Sequence, residues 1–236
     1  MRAMILAAGR GERMRPLTDD CPKPLLSAGG KPLIQWHLEA LAKAGVVDIV
    51  INHAYLGEQI ENYFGDGSSL GVCLRYSPES IALETAGGIR KALPFLGDEP
   101  FLVINGDVAC EWPITKALKI AREWKEKKWT CLAYLVLVPN PQHNLIGDFT
   151  LRGCEVCLSS SNESTFTFSG IGLYHPDLFQ NVVFGQVHKL ASLLREAMVV
   201  GKVHGELFNG FWMDIGTPER LNELNDRLES IRKHSS

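Results

Sequence analysis

No stretch of this 236-residue chain is apolar for long enough to cross a membrane, and no long run carries charge of one sign. The first absence argues against a helical membrane anchor. The second, with a net charge of −3, gives no reason to expect nucleic acid or an acidic membrane as a partner. The apolar part of residues 1–8 is too short for a signal peptide, and a charged loop stands where a cleavage site would be. Six scattered cysteines (Cys21, Cys73, Cys110, Cys131, Cys154 and Cys157) without a leader imply reduced thiols in the cytoplasm. Cys154-Glu-Val-Cys157 lacks the second pair that zinc wants and the helix start that redox chemistry wants, so chance spacing explains it. Two phosphate motifs are missing as well. Nothing fits GxxxxGK[ST], and Gly9-Arg-Gly-Glu-Arg-Met14 has two glycines of GxGxxG but not the third.

What is present is ordinary in bulk: 45% hydrophobic and 22% charged residues, at a length that suits one α/β domain over 1–236. The opening is not ordinary. A short apolar run at 3–8 has the character of a buried strand, and it breaks at Gly9-Arg10-Gly11 into a loop carrying Arg10, Arg13, Arg15 and Lys23. Glycines let backbone N–H groups approach an anion, and the side chains supply positive charge. Beyond it, helices are expected at 32–44, 56–64 and 85–93, alternating with strands at 46–51, 72–76 and 101–105. This alternation predicts an α/β fold: a Rossmann-like, mostly parallel (mixed) sheet with helices on both faces. Ligands of such sheets sit beyond the carboxyl ends of the strands, where Gly9–Gly11, Asn52, Glu84–Gly88 and Asp107 fall.

The second half begins with a helix at 112–129, whose Lys125, Lys127 and Lys128 suit a solvated helix C-terminus. A strand at 130–138 follows. Residues 139–174 break into short strand-like pieces (149–151, 156–158, 166–168), a β-rich excursion expected to cover the crevice. A helix at 188–199, strands at 202–208 and 211–214, and a helix capped by Thr217 with Pro218 in its first turn complete the pattern, before a loose Ser235-Ser236 tail.

The arginines of the loop suit a triphosphate better than a dinucleotide. A triphosphate reaction generally uses Mg²⁺, held by one or two carboxylates. Asp107 and Asp214 each end an apolar run at the crevice edge. One strand-end Asp alone is usually a turn or cap residue; two facing the same basic loop argue for metal.

These residues carry a resemblance. Gly9-Arg-Gly-Glu-Arg-Met-Arg-Pro-Leu-Thr18 with Pro22-Lys23-Pro24 resembles the signature of the sugar-1-phosphate nucleotidyltransferases. Glu84-Thr-Ala-Gly-Gly88, Ile104-Asn-Gly-Asp107 and Trp212-Met-Asp-Ile-Gly-Thr217 fall where that family has matching blocks. Six shorter blocks narrow the resemblance: Ile51–Ala54, Leu83–Gly88, Asn140–His143, Gly147–Phe149, Phe166–Gly170 and Lys189–Ala191. With the short chain, they are most similar to the bacterial branch that uridylylates N-acetylmuramic acid 1-phosphate in peptidoglycan recycling.

The resemblance implies that UTP and a sugar 1-phosphate give a nucleotide sugar and pyrophosphate. The attacking phosphate is already ionised near neutral pH, so no general base is needed; positioning and charge neutralisation carry the catalysis. It assigns Leu6, Ala7, Ala8, Gly9, Gly11 and Glu12 to wrapping the nucleotide, Arg13 to the β- and γ-phosphates, and Lys23 to the α-phosphate and attacking oxygen. Glu84 and Gly88 would meet base and ribose, and Asp107 and Asp214 would hold Mg²⁺. Asn105, Asp148, Ser169 and Gly170 would contact the sugar, although Asn105 and Asp148 also suit turn roles. One departure stands out: 157–168 contains no lysine, where many members carry a second lysine for the sugar phosphate. Lys189 could substitute, or it is only a helix-start cation. His143 and His188 suit surface or structural roles better than sugar contact. The competing expectations are another sugar (mannose with GTP, or glucose or GlcNAc with UTP or dTTP) and an inactive regulatory subunit. A monomer is expected, since no apolar extra segment asks for a partner.

Overall fold

The computed structural model describes residues 1–126, 130–159 and 163–234. Lys127, Lys128 and Trp129 of the expected helix end, residues 160–162 of the lysine-free stretch, and the Ser235-Ser236 tail lie outside the described residues. The chain opens with β1 (Ala3–Leu6), then a small hairpin, β2 (Ser27–Ala28) and β3 (Lys31–Pro32), and α1 (Leu33–Lys43). Next come β4 (Asp48–His53), α2 (Gly57–Phe64), β5 (Cys73–Pro78), α3 (Glu84–Leu96) and β6 (Phe101–Asn105). The second half runs through β7 (Val108–Cys110), α4 (Ile114–Glu126), β8 (Ala133–Val138), β9 (Phe149–Arg152), β10 (Glu155–Leu158) and β11 (Thr165–Tyr174). It closes with α5 (Leu190–Val199), β12 (Val203–Leu207), β13 (Trp212–Asp214) and α6 (Pro218–His234). Among the described residues, no helix is long and apolar enough to cross a membrane.

Among the described residues, nine strands form one sheet in the order β5-β4-β1-β6-β11-β8-β12-β10-β9. The four strands from β5 to β6 are parallel, and antiparallel β11 begins the mixed half. Strands buried on both faces explain the unbroken apolar runs. In β1, Ala3 and Ile5 enter the core beneath α1 and α2, while Met4 enters the core beneath α3 and α5. Leu102 and Ile104 divide from Phe101 and Val103 in β6 in the same way. A third, smaller core joins Met14 of the basic loop to Leu26, Leu33, Ile215, Leu221 and Leu224. It ties the loop to α1 and α6.

The α/β expectation holds, with local corrections. The helix expected from residue 112 starts at Ile114, because Pro113 disfavours helical backbone at Trp112. The helix expected to stop at 93 continues past Pro94 to Leu96, which is buried in the core, and ends at Gly97. The larger correction concerns 139–174. The expected fragment at 166–168 is the start of the ten-residue β11, which lies in the middle of the main sheet. The expected fragment ends before Ser169-Gly170. Gly170, at φ +81°, instead sits in an irregularity where the pairing with β8 shifts register between Phe168 and Gly172. Strand β7 has no counterpart in the expected elements. It pairs antiparallel with β13, opposing Val108 to Asp214.

Candidate active site

The carboxyl ends of β1, β4 and β6 open into one cleft of about 430 Å³. Eleven of the residues assigned from sequence line it: Leu6, Ala7, Ala8, Gly9, Gly11, Glu12, Arg13, Lys23, Glu84, Asn105 and Asp107.

The basic loop is held in shape by its own groups. Thr18, fully buried, donates its hydroxyl to Gly11 O at 2.8 Å, and Arg10 donates to Thr18 O at 2.7 Å. Gly11 has φ +71°, and a Cβ there would meet Thr18 and Lys23 side-chain carbons at 3.1 and 3.2 Å, so both backbone and space favour glycine. The four cations of the loop separate into two pairs. Arg10 stacks on the Tyr55 ring at 3.5 Å, and Arg15 lies 3.3 Å from both Glu12 and Asp19. Only Arg13 and Lys23 face the cleft. Buried Met14 anchors the turn beside Arg13, whose guanidinium makes no hydrogen bond or ion pair among the described residues. Lys23 is 9% exposed and forms an ion pair with Asp107.

Asp107 and Asp214 are brought together by the β7–β13 ladder, and Ile215 N donates to Asp107 O at 2.7 Å. Asp214 lies outside the cleft lining proper. It pairs with Arg220 and lies 2.9 Å from His143 Nε2. Two carboxylates, one on β13 and one in the turn before β7, are the hard oxygen donors that Mg²⁺ takes, together with water and substrate phosphates. Among the described residues no three His, Cys, Asp or Glu side chains cluster as a closed metal cage. The pair therefore fits Mg²⁺ arriving with a phosphate ligand, with Lys23 and Arg220 as the cations it would displace.

Sequence reasoning passed over Glu79. This carboxylate is 6% exposed and accepts from Asn52 Nδ2 at 2.7 Å and from Leu83 N at 2.8 Å. Asn52 in turn accepts from Ala7 N at 3.0 Å. The chain of bonds ties the loop before α3 to the end of β1. Glu79 directly follows β5, so the strand-end rule that singled out Asn52 and Asp107 would have found it had β5 been read to its end. Gly88 is not at the cleft wall. A Cβ there would lie 2.7 Å from Glu79 Oε1 and 2.8 Å from Asn52 Nδ2, two residues that line the cleft, so Gly88 makes room for this pair. Glu84 does line the cleft, with the unusual φ of +60°. His37 on α1 was also missed. It is buried, its Nε2 has no partner, and burial pushes its pKa down to about 4 against the opposing pull of Asp107.

The sugar-side expectations fare unevenly. Asn105 lines the cleft and packs on Gly170, whose Cβ would lie 2.7 Å from Asn105 Nδ2. Ser169 is fully buried, with its hydroxyl bonded to Ile171 N at 3.2 Å, so its side chain is closed to a ligand. Asp148 is exposed and accepts from Phe168 N at 2.8 Å and Asn144 Nδ2 at 3.3 Å. Lys189 is exposed, precedes α5, and does not line the cleft. His143 is drawn to Asp214, and His188 Nε2 is buried without a partner.

Comparison with known proteins gives a consistent result. The Nucleotidyl transferase family model matches residues 2–144. The chain is 52% identical over 225 residues, 94% of this chain and 96% of the other, to an N-acetylmuramate alpha-1-phosphate uridylyltransferase of Neisseria meningitidis serogroup B. It is 30% identical over 230 residues to a mannose-1-phosphate guanyltransferase of Hypocrea jecorina, covering 93% of this chain but 62% of that one. A solved structure of a Bacillus anthracis protein, described as a putative glucose-1-phosphate thymidylyltransferase in complex with a sucrose, superposes with TM-score 0.82 at 22% identity, covering 97% of this chain and 95% of that one. That likeness speaks to the fold.

Proposed function

The chain belongs to the nucleotidyl transferase family, and from that premise we propose that it transfers a uridylyl group from UTP to N-acetylmuramic acid α-1-phosphate. The products are UDP-N-acetylmuramic acid and pyrophosphate. The observation that carries this reading is the 52% identity, along nearly the whole of both chains, to the Neisseria protein of that activity. A cytoplasmic monomer of one domain, working in peptidoglycan recycling, completes the reading.

Lys23 and Arg13 are the two loop cations left facing the cleft. Lys23 neutralises the α-phosphate and orients the attacking oxygen, and Arg13 draws the leaving pyrophosphate away. The N–H groups of Gly9 and Gly11 face the phosphates, and Glu84 bounds the nucleotide. Asn105 and Asp148 hold the sugar. Asp107 and Asp214 would hold Mg²⁺, which supplies charge neutralisation on the reacting phosphates. No side chain need act as a base, because the sugar phosphate arrives ionised.

Pyrophosphate release, followed across a panel of sugar 1-phosphates and nucleotides, tests the reading. UTP with N-acetylmuramic acid α-1-phosphate is expected to give the highest kcat/KM, with turnover abolished by EDTA and restored by Mg²⁺. Efficient turnover of mannose 1-phosphate with GTP, with none of the muramic sugar, would overturn the substrate assignment in favour of the activity of the guanyltransferase relatives.

A further inference from the structure

Two guanidiniums converge over Gly216. A Cβ on that glycine would lie 2.7 Å from Arg220 Nη2, 3.0 Å from Arg13 Nη2 and 3.1 Å from Asp214 Oδ2. Any side chain there would push into all three groups. Arg220 extends from the first turn of α6, its side chain is 17% exposed, and it pairs with Asp214. Its Nη1 also lies 3.2 Å from His143 Nε2, on the loop between β8 and β9 that carries Asp148. One carboxylate thus serves an arginine and a histidine, with a second, unpaired arginine beside them.

The arrangement has a consequence once Asp214 takes a metal. Arginine does not lose its proton, so a displaced Arg220 stays a cation in a half-buried place. Such a charge is costly unless another anion replaces the carboxylate. The substrates bring that anion. A phosphate monoester carries about −2 at neutral pH and offers three oxygens to a guanidinium fork. Arg13 and Lys23 already serve the nucleotide side, whereas Arg220 lies between the metal carboxylate and the loop of His143 and Asp148, on the sugar side.

We propose that Arg220 is a further phosphate-binding residue of this site: held by Asp214 in the free enzyme, it passes to the phosphate of the sugar when a divalent cation takes Asp214. The proposal rests on the site reading above and adds an exchange of partners to it. It makes metal and Arg220 competitors for one carboxylate before the sugar phosphate binds, and makes Arg220 a contact of that phosphate afterwards.

Two measurements on Arg220→Met and Arg220→Lys test it. The first is Mn²⁺ binding to the substrate-free protein, read by electron paramagnetic resonance. Arg220→Met is expected to bind Mn²⁺ several-fold more tightly than wild type, and Arg220→Lys to stay near wild type. The second is steady-state pyrophosphate release. Arg220→Met is expected to raise KM for the sugar phosphate about 10–100-fold, the loss of a charged hydrogen bond, with KM for UTP nearly unchanged. Arg220→Lys should recover part of that loss. Unchanged or weaker Mn²⁺ binding in Arg220→Met overturns the competition. A rise in KM for UTP alone assigns Arg220 to the nucleotide instead and overturns the sugar-phosphate contact. Wild-type protein with no pyrophosphate release from any pair would sink the functional reading, while the Mn²⁺ comparison still decides the exchange. Matching thermal unfolding of variants and wild type excludes loss of fold as the cause.

Discussion

The regions that the proposed function gives to the nucleotide and to the sugar are built by different means. On the nucleotide side, Arg13 and Lys23 come from one loop, ten residues of sequence apart, placed at the end of β1 by the parallel sheet. Its shape is set by short-range bonds such as Thr18 to Gly11 and by the burial of Met14. Among the described residues, the region proposed for the sugar shows no comparable local motif. Asn140 donates to Thr165 O at 3.0 Å, Thr167 donates to Asn140 Oδ1 at 2.9 Å, and Asp148 accepts from Phe168 N at 2.8 Å. Asn105 meets Gly170 across the sheet. The first side is a loop that carries its own geometry; the second is a polar network assembled from three distant segments. On the proposed reading, charge neutralisation would be concentrated where the chain is locally constrained, and sugar recognition where long-range pairing can vary.

Substitution should separate the two sides. The largest effect is expected at Lys23. Lys23→Met removes a preorganised cation and should lower kcat about 10²–10³-fold in a pyrophosphate-release assay, with the fold retained. A near-wild-type rate would remove Lys23 from the mechanism. Next is the pH response of stability. His37 has a folded pKa lowered from 6.5 to about 4 by burial. The unfolded chain therefore binds the proton first, and stability should fall as pH drops from about 6.5 toward 4, by roughly 3 kcal/mol at most. His37→Gln should flatten that part of a denaturation series; an unaltered slope would mean that His37 is not its source.

Glu79→Ala cuts the link from Asn52 to Leu83 and leaves buried donors unpaired. It should cost about 1–3 kcal/mol, seen as a lower denaturation midpoint together with a raised KM for UTP. A loss confined to the sugar phosphate would blur the division between the two sides. Asp148→Ala should raise KM for the sugar phosphate several-fold, equivalent to ~1 kcal/mol, and leave KM for UTP unchanged. Equal changes in both constants would argue that the loop acts on the whole cleft. The smallest effect belongs to Arg15. Its pairs with Glu12 and Asp19 are exposed, so Arg15→Ala should shift stability by less than about 0.5 kcal/mol and leave kcat alone.

How far the site could be read in advance follows this same division. The cleft positions of Arg13, Lys23, Asp107 and Asn105 were legible because each sits at or just beyond the end of a strand or in a glycine- and proline-framed loop, and such positions face the ligand in a parallel sheet. The close packing of Gly88 on Asn52 and Glu79 was not legible, because it depends on how α3 lies against the ends of β4 and β5. The burial of Ser169 was not legible, because its place in a central strand could not be read from Phe166-Thr-Phe168 followed by Ser169-Gly170. Arg220 sits in an amphipathic helix like many solvated arginines, and only the pairing of β13 with β7 brings that helix start to the cleft.

The sequence by itself determined the alternation of strands and helices, the basic loop at the end of β1, and the family to which the chain belongs. These depend on local periodicity, on the backbone freedom of glycine, and on a motif compact enough to recognise as a string. Only the tertiary structure decided that β11 lies in the centre of the sheet, that two of four loop cations turn away from the cleft, and that β13 brings Asp214 beside the turn that carries Asp107. Each of those outcomes rests on contacts between residues far apart in the chain, where local propensity is silent and packing decides.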